Sequence, residues 1–333
     1  MPCALLEHPD EKRANHSLSV SGVGRREIAF YDFPTGAAQL IGVSLVGFPI
    51  YTMTRLQGLA LSPPALRGLG LVKALEREGL EITDMGDVKL QKLSRDSGPK
   101  KFRNSTYAAK ATERIRRAAG RAAVRDFAIF LGGECSLVMG SLQGMKSRRR
   151  GRPGMLWMDA HGDFNTPETT PSGFIGGMCL AMACGRGQPL SRETEESREP
   201  LLAEEAVVHL GSRALDRLEE GAMKGSEITL VSAKELREGG AADYGRRAAK
   251  LLSDRCDWCI LHIGLDVIDP GEMPAVNFPE PNGISTEEVL LAARGLNETG
   301  RLKAIELTSY DPLRDLNRAC GRRAVKMISR LCR

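Results

Sequence analysis

The sequence predicts a three-layer α/β/α fold, in which helices cover both faces of a mainly parallel sheet of about eight strands. Two observations support this prediction. Short apolar runs recur along most of the chain, and helix-like stretches separate several of them. Repeated alternation of strand and helix is typical of parallel sheets, because each parallel connection requires a crossover.

The predicted strands are apolar runs of four to eight residues, as expected for buried strands. In chain order they cover residues 39–46, 80–84, 124–131, 155–159, 206–210, 228–231, 258–265 and 302–307. The predicted helices cover residues 64–78, 107–123, 137–146, 241–252, 286–296 and 316–331. No internal repeat or linker divides these elements, so residues 36–333 are predicted to form a single domain.

Residues 1–35 differ from the rest of the chain. They are polar, and Pro9, Asn15, Ser17 and Gly22 interrupt any helical or strand period. We therefore expect a polar N-terminal arm that is disordered or wraps the surface.

Composition and charge indicate a globular protein and argue against nucleic-acid binding. The 333 residues are 42% hydrophobic and 27% charged, which is ordinary for a globular protein. The net charge of +5 comes largely from arginine clusters such as 148–150 and 322–323, which are typical of solvated helix ends and loops. Aromatic residues make up only 5% of the chain, so few rings are present for bases to stack on. No nucleic-acid binding is expected.

The eight cysteines and the hydropathy of the chain predict its compartment. The first residues are polar rather than a signal-type apolar segment, and no stretch approaches the ~18 apolar residues of a membrane span. We therefore expect a cytoplasmic protein with reduced thiols and no membrane contact. Cys256 and Cys259 form a CxxC pair, but no second pair lies nearby, so no zinc site is expected there.

Metal-type residues follow three of the predicted strands. Residues 132–136 read Gly-Gly-Glu-Cys-Ser, residues 159–165 read Asp-Ala-His-Gly-Asp-Phe-Asn, and residues 266–270 read Asp-Val-Ile-Asp-Pro. Ligands bind beyond the carboxyl ends of parallel strands, so these segments are the candidate site. Asp159, His161 and Asp163 alternate along extended chain, so their side chains can converge on a divalent cation such as Mn²⁺. The alternative is that these are ordinary surface acids at the end of a strand. That would explain one aspartate, but it gives no reason for three potential ligands on the same side of the chain.

In this order, the three segments resemble the signature of the arginase–agmatinase (ureohydrolase) family: GGDHS, DAHxDxN and DxDxxDP. The resemblance extends over most of the chain, at residues 40–43, 64–67, 86–88, 165–167, 172–173, 211–213 and 306. It implies an arginase-like fold and a homo-trimer or homo-hexamer. It also implies two Mn²⁺ ions that share a hydroxide, which attacks the central carbon of a guanidinium or amidine.

The resemblance assigns metal roles residue by residue. Asp159 would bridge both ions. Asp163 and Cys135 would serve the first ion, while His161 and Asp266 would serve the second. The residues implied in catalysis are Asp163, His161 and Glu306.

The resemblance also implies a set of substrate contacts. Asp216 and Glu219 would hold a substrate amino group, and Glu306 would face the guanidinium. Asn165 and Ser172 would contact a substrate carboxylate. The alternative for Asp216, Glu219 and Glu306 is a structural one, in which they form ion pairs with the numerous arginines.

Two metal positions depart from the family pattern. Cys135 stands where a histidine ligand is expected, and a thiolate is softer, favouring Zn²⁺ or Fe²⁺ over Mn²⁺. Gly264 stands where the family has its second bridging aspartate, and glycine offers no side-chain donor. Without that bridge, repulsion between two cations favours one ion, or none, over two. His262, on the same face of its strand, is a possible substitute ligand, although a strand histidine is more often a core residue.

A third departure concerns the substrate. Gly176 falls where arginases carry a histidine thought to shuttle protons, and Phe174 replaces a polar residue. Arginine itself is therefore not the expected substrate.

The sequence leaves three functional hypotheses. The first is ureohydrolase-type, metal-dependent hydrolysis of a C–N bond in a linear guanidine or amidine, with an altered or mononuclear metal site. The second is a catalytically inactive relative that binds a small cationic metabolite or a partner subunit. The third is nucleophilic chemistry at Cys135, with His161 as the base.

Overall fold

The computed structural model describes residues 42–190 and 199–332. The predicted N-terminal arm, residues 1–35, lies outside these ranges, as do residues 39–41 of the first predicted strand. Within the described ranges, no helix has both the length and the apolar character needed to cross a lipid bilayer.

Eight strands form one sheet, and each hydrogen-bonded pair of neighbours is parallel. The strands are β1 (Gly42–Phe48), β2 (Glu81–Asp87), β3 (Phe127–Gly132), β4 (Pro153–Met158), β5 (Val207–Ser212), β6 (Thr229–Ser232), β7 (Trp258–Gly264) and β8 (Leu302–Thr308). Their order across the sheet is β2-β1-β3-β8-β7-β4-β5-β6. The predicted fold class is confirmed, and each of the eight predicted strands overlaps an observed one.

Helices cover both faces of the sheet. In the described ranges they are α1 (Ser62–Gly68), α2 (Leu71–Arg77), α3 (Ser105–Ala122), α4 (Val138–Lys146), α5 (Cys179–Ala183), α6 (Arg217–Lys224), α7 (Ala233–Gly239), α8 (Ala241–Arg255), α9 (Thr286–Glu298) and α10 (Ala319–Leu331). Successive strand residues point to opposite faces, so Leu45 and Ile129 pack with α1, α2 and α7 to α10, whereas Val46 and Phe130 pack with α3 to α6. The result, within the described residues, is two large hydrophobic cores, one on each side of the sheet, and a smaller cluster that includes Tyr51 and Leu59.

Several predicted helix boundaries differ from the observed ones. The stretch 64–78 forms two helices, because Gly70 adopts a φ of 88° between them. The last helix begins at Ala319 rather than at 316, since residues 312–314 form a 3₁₀ turn and Leu316 is 97% exposed. Helices α5, α6 and α7 were not predicted, because elements of five to eight residues carry little periodic signal.

The strand order determines where the candidate residues meet. β3, β8, β7 and β4 lie side by side in the middle of the sheet. Cys135 follows β3, Asp159 follows β4 and Asp266 follows β7, so the carboxyl ends of these strands carry all three residues to one edge.

Candidate metal centre

A cavity of about 460 Å³ opens at the carboxyl ends of the central strands. Among the residues that the structure describes, its charged lining consists of seven carboxylate residues against one arginine, Arg55, and one histidine, His161. The carboxylates are those of Glu134, Asp159, Asp163, Asp216, Glu219, Asp266 and Glu280. A cleft with such an excess of one sign of charge concentrates ligands of the opposite sign, so it favours cations.

Three of the predicted ligands converge at the floor of this cavity. Asp159, His161 and Asp266 offer donor atoms that lie within 4.8 Å of one another. Nδ1 of His161 is 3.3 Å from Oδ1 of Asp159 and 3.5 Å from Oδ2 of Asp266. Because β4 and β7 are hydrogen-bonded neighbours, the two aspartates that follow them are set side by side.

The pKa values of these three residues indicate a shortage of positive charge. Burial by itself would lower the pKa of His161, but hydrogen bonds to Asp159 and Asp266 and their charges raise it well above its ordinary value. Burial opposes ionisation of Asp159, yet its hydrogen bonds with His161 and the charge of that ring lower its pKa. Burial and the charge of Asp159 raise the pKa of Asp266. The single positive charge of His161 therefore balances the negative charge of Asp159, but not that of Asp266 as well.

An oxygen of Asp266 provides a test of whether a metal ion fits these residues. Asp266 is only 3% exposed, and its Oδ1 has no hydrogen-bond partner among the described residues. An unpaired buried carboxylate oxygen is unfavourable unless a donor or a cation reaches it. Two carboxylates and an imidazole are a donor set suited to a divalent cation. The residues present therefore fit a metal ion.

A second set of donors lies beside the first. Cys135, Asp159 and His262 also offer atoms within 4.8 Å of one another, and Sγ of Cys135 is 3.5 Å from Oδ2 of Asp159. Burial, with the charges of Asp163 and Asp159, raises the pKa of the Cys135 thiol well above its ordinary value. A buried neutral thiol is a poor nucleophile, which argues against the cysteine-nucleophile hypothesis.

Asp163 lines the cavity but belongs to neither set of donors. Its φ of 48° interrupts the extended chain on which the predicted alternation of Asp159, His161 and Asp163 depended. Oδ2 of Asp163 instead lies 3.9 Å from Sγ of Cys179. Burial and the charge of Asp159 raise its pKa well above the ordinary value. The geometry therefore does not support the expected role of Asp163 at the first ion.

Two buried side chains hold the loop that carries His161. Nε2 of His209 lies 2.8 Å from the backbone oxygen of His161, and burial lowers the pKa of His209 to about 4, so the ring is neutral and donates. Glu219 accepts hydrogen bonds from the backbone nitrogens of Phe164, at 2.8 Å, and of Asp216, at 3.1 Å. Burial raises the pKa of Glu219. Both oxygens of Glu219 are thus engaged with backbone, which leaves less capacity for a substrate amino group.

Four of the five predicted substrate residues line the cavity: Asn165, Ser172, Asp216 and Glu219. Nδ2 of Asn165 donates to Oδ2 of Asp216 at 3.0 Å. Oγ of Ser172 accepts from the backbone nitrogen of Phe174 at 3.2 Å.

Glu306, which was expected to face the guanidinium, is not among the described residues that line the cavity. It is completely buried within β8, where Oε2 lies 2.7 Å from Nδ1 of His262 and Oε1 accepts from the hydroxyl of Ser141. The register of β7 and β8 pairs His262 with Glu306, so both side chains point into the sheet face covered by α4. Ser309, three residues later, lines the cavity instead, with a φ of 70°.

An aromatic pair forms part of the apolar lining of the cavity. The ring centroids of Phe174 and Phe278 are 5.9 Å apart, and Phe278 lies 5.9 Å from the ring of His161. A Cβ on Gly176 would lie 2.4 Å from Cζ of Phe174. The ring of Phe174 therefore fills the space in front of Gly176, where the family pattern has a histidine.

Several cavity residues were not predicted from the sequence: Arg55, Asn277, Phe278, Glu280 and Ser309. None of these residues belongs to a recognisable motif. For the segment around Phe278, the sequence indicates only that it follows β7 and so lies near the edge of the sheet where ligands bind. Arg213 was also missed as a structural residue, although its segment was part of the resemblance. Its guanidinium donates to five backbone oxygens, including those of Asp266 and Glu280.

Comparison with known proteins gives a consistent result. The sequence model of the arginase family matches residues 41–332. A protein described as arginase from Bacillus caldovelox is 31% identical over 292 residues, which cover 87% of this chain and 97% of that protein. Arginase from Bacillus subtilis (strain 168) is 31% identical over 293 residues, with the same coverage of both chains.

Solved structures agree with the sequence relatives. The native structure of the Bacillus caldovelox arginase covers 88% of this chain and 98% of its own, with a TM-score of 0.82 and 31% identity. Arginase from Entamoeba histolytica in complex with L-ornithine covers 88% and 99%, with a TM-score of 0.80 and 25% identity. Formimidoylglutamase from Bacillus subtilis, at 18% identity and a TM-score of 0.68, shares the fold.

Proposed function

This chain belongs to the arginase family, and on that premise we propose that it is a metal-dependent hydrolase of the ureohydrolase type. The reaction is cleavage of a C–N bond in a linear guanidine or amidine. The observation that supports it most is the donor set of Asp159, His161 and Asp266 on the floor of an acidic cavity, with an unpaired buried oxygen on Asp266. Mn²⁺ is the cation proposed for this set, because carboxylates and an imidazole suit it.

In the proposed reaction, residues of the chain hold the metal ligands in place and transfer a proton. When bound, a divalent cation supplies Lewis acidity and makes a water acidic enough to act at neutral pH. Asp159 and Asp266 hold the ring of His161 between them, with Oε1 of Glu280 3.8 Å from its Nε2. Asp163 faces the same cavity outside both donor sets, so we assign to it the transfer of a proton to the leaving amine.

The proposed substrate is a guanidine or amidine other than arginine, with an arm that carries no carboxylate. The acidic lining favours a cationic group, and Phe174 and Phe278 offer an apolar and cation-binding face. Asn165, the expected partner of a substrate carboxylate, directs its amide nitrogen to Asp216. The charge of Asp216 would repel a carboxylate placed there.

A second candidate is a non-catalytic relative that binds a small cationic metabolite or a partner subunit. Gly264 favours it, because this residue supplies no donor between the two sets of ligands. Gly176 favours it as well, because it supplies no group that could carry a proton. The acidic cavity is common to both candidates, so turnover is what separates them.

The test is product release by purified, metal-stripped protein supplied separately with Mn²⁺, Zn²⁺ or Fe²⁺. The panel holds alkylguanidines and alkylamidines whose far ends carry an amine, a carboxylate or no charge, together with arginine. Urea, ammonia and amine are measured. We expect cation-dependent turnover, with the carboxylate-bearing compounds and arginine the poorest substrates. Asp266→Asn is the control variant that should lack activity, since it keeps the shape of the side chain but removes its negative charge.

Two outcomes contradict parts of this proposal. Cation binding without product from any compound would reject the hydrolase and favour the binding protein. Faster turnover of arginine than of the carboxylate-free compounds would reject the proposed substrate class and leave the hydrolase in place.

A further inference from the structure

We propose that Cys135, Asp159 and His262 form a cation site of their own, in which the Cys135 thiol releases its proton to solvent as the cation binds. The resulting thiolate, carboxylate and imidazole donors select Zn²⁺ over Mn²⁺. This inference deepens the proposed function, because it names the metal class at a position next to the set of Asp159, His161 and Asp266. It concerns binding, so it can be tested whether or not the protein turns over a substrate.

The three donors are close together and come from three neighbouring regions of the sheet. They lie within 4.8 Å of one another, with Cys135 after β3, Asp159 after β4 and His262 inside β7. Asp159 divides its oxygens between the two sets, since Oδ2 is 3.5 Å from Sγ of Cys135 and Oδ1 is 3.3 Å from Nδ1 of His161. One carboxylate can therefore join two cations.

The ring of His262 is fixed so that Nε2 is the free donor. Nδ1 is occupied, because it lies 2.7 Å from Oε2 of Glu306. The ring stacks on Trp157 with centroids 3.7 Å apart, and Ser141 holds the other oxygen of Glu306. A carboxylate that accepts the Nδ1 proton leaves a lone pair on Nε2 and orients it, as in carboxylate–histidine–metal arrangements.

A satisfied core histidine is the ordinary alternative, and the contacts of Nε2 argue against it. Nε2 lies 3.5 Å from Oγ1 of Thr308, which is the outer limit of a hydrogen bond. That hydroxyl can donate to the backbone oxygen of Ile263 at 3.3 Å, and it also lies 3.4 Å from Sγ of Cys135. The lone pair of a completely buried Nε2 is thus left with at most a shared, long contact.

The gap that Gly264 leaves beside this set also has room for a cation, and the unpaired oxygen of Asp266 borders it. Oδ1 of Asp266 is buried without a hydrogen-bond partner among the described residues. It lies 2.8 Å from the position that a Cβ on Gly264 would take, and Oδ2 of Asp159 lies 1.9 Å from the same position. One oxygen from each of two carboxylates therefore approaches the same gap beside Cys135, while His161 lies against the other oxygen of each.

The chemistry of the donors determines the metal. Thiolate and imidazole are the ligands of Zn²⁺ and other borderline cations, while sites rich in carboxylate suit Mn²⁺. The set of Cys135, Asp159 and His262 has two such soft or borderline donors out of three. The set of Asp159, His161 and Asp266 has two carboxylates out of three. The two neighbouring positions are therefore expected to prefer different cations.

The experiment is a Co²⁺ titration of the full-length, metal-stripped protein, followed by optical absorption. Co²⁺ replaces Zn²⁺ and gives a thiolate-to-cobalt charge-transfer band in the near ultraviolet only when sulfur is a ligand. We expect a band that saturates at one equivalent and that Zn²⁺ removes but Mn²⁺ does not. Cys135→Ser should abolish the band, whereas the control Cys179→Ser, also a buried thiol near the cavity, should leave it unchanged.

The role of His262 has its own readouts. Glu306→Gln should weaken Co²⁺ binding by about ten- to a hundredfold, as loss of an orienting carboxylate does at other metal sites. His262→Gln should weaken it further. If either variant fails to fold, X-ray absorption of the unmodified protein with Zn²⁺ serves instead, and it should detect one sulfur among nitrogen and oxygen neighbours.

Absence of both the band and the sulfur neighbour would overturn the inference, as would a band that survives Cys135→Ser. Turnover with Mn²⁺ in a protein without the band would reject this inference alone. A band in a protein without turnover would reject the proposed hydrolase alone.

Discussion

The carboxylate of Asp159 occupies the space that the missing side chain of Gly264 leaves free. A Cβ on Gly264 would lie 1.9 Å from Oδ2 of Asp159, far inside van der Waals contact. The glycine is therefore more than a lost ligand. It allows one aspartate to approach the place where the family pattern has a second.

Gly264→Ala should displace Asp159 and weaken both donor sets. We expect divalent-cation affinity to fall at least tenfold and the free energy of unfolding to drop by about 1–3 kcal/mol, as for other overpacked core sites. Calorimetric Mn²⁺ titration and urea denaturation measure the two effects. The control is Gly221→Ala in α6, where a Cβ would have nothing within 4 Å. Unchanged affinity in Gly264→Ala would show that Asp159 does not need this space.

The sequence predicted the sheet well because its strands are buried on both faces. Such strands appear as continuous apolar runs, and each run identified in this way overlaps a strand of the described residues. The location of the candidate site at the sheet edge follows from a related argument. Once the strands are assigned, residues directly after them, such as Asp159 and Asp266, are placed at one edge of a parallel sheet.

The contacts of Glu306 could not be predicted from the sequence. Its role depends on the register of β8 against β7, which pairs it with His262. Register is a property of long-range pairing, and a shift of one residue moves a side chain to the other face of the sheet. Gly176 is a similar case, because only the folded chain shows that Phe174 covers it.

Gly176→His should not restore a proton-carrying group by itself. Its Cβ would lie 2.4 Å from the ring of Phe174, so the ring or the loop must move. We expect a loss of about 1–3 kcal/mol in the free energy of unfolding. In Phe174→Ser with Gly176→His the loss should be smaller, since the ring is gone. Thermal unfolding of the two single variants and the double variant measures the coupling, and strictly additive effects would contradict the contact.

Glu219→Gln should loosen the loop that carries His161. The carboxylate accepts two backbone N–H groups, from Phe164 and Asp216, whereas an amide can accept only with its single oxygen. One buried donor then loses its partner, which costs about 1–3 kcal/mol. Urea denaturation provides the measurement. The adjacent Glu220→Gln, at an exposed ion pair with Lys224, should change stability by less than about 1 kcal/mol, and an equal loss in both would refute the assignment.

Arg213→Lys should release the loop that follows β7. The guanidinium donates to backbone oxygens of Asp266, at 2.6 Å, and of Glu280, at 2.9 Å, among others. Lysine keeps the charge but cannot reproduce the planar fork. We expect a loss of about 2–4 kcal/mol and faster amide hydrogen exchange in residues 266–284. The exposed Arg217→Lys is the control, and protection unchanged from the unmodified protein would contradict this role.

Cation binding should stabilise the fold, because folding buries several negatively charged carboxylates close together with too little positive charge to balance them. Asp159, Asp163 and Asp266 are buried in one cavity, where His161 is the only histidine among the described lining residues. A ligand that binds only the native state stabilises it by about 2.7 kcal/mol at a free concentration of 100 times its Kd. Scanning calorimetry should therefore show a higher Tm with Mn²⁺ or Zn²⁺ than with a chelator. Asp266→Asn reduces the negative charge, so the metal-free variant should be at least as stable as the metal-free parent while gaining less from either cation. An equal gain in both proteins would mean that the cation binds elsewhere.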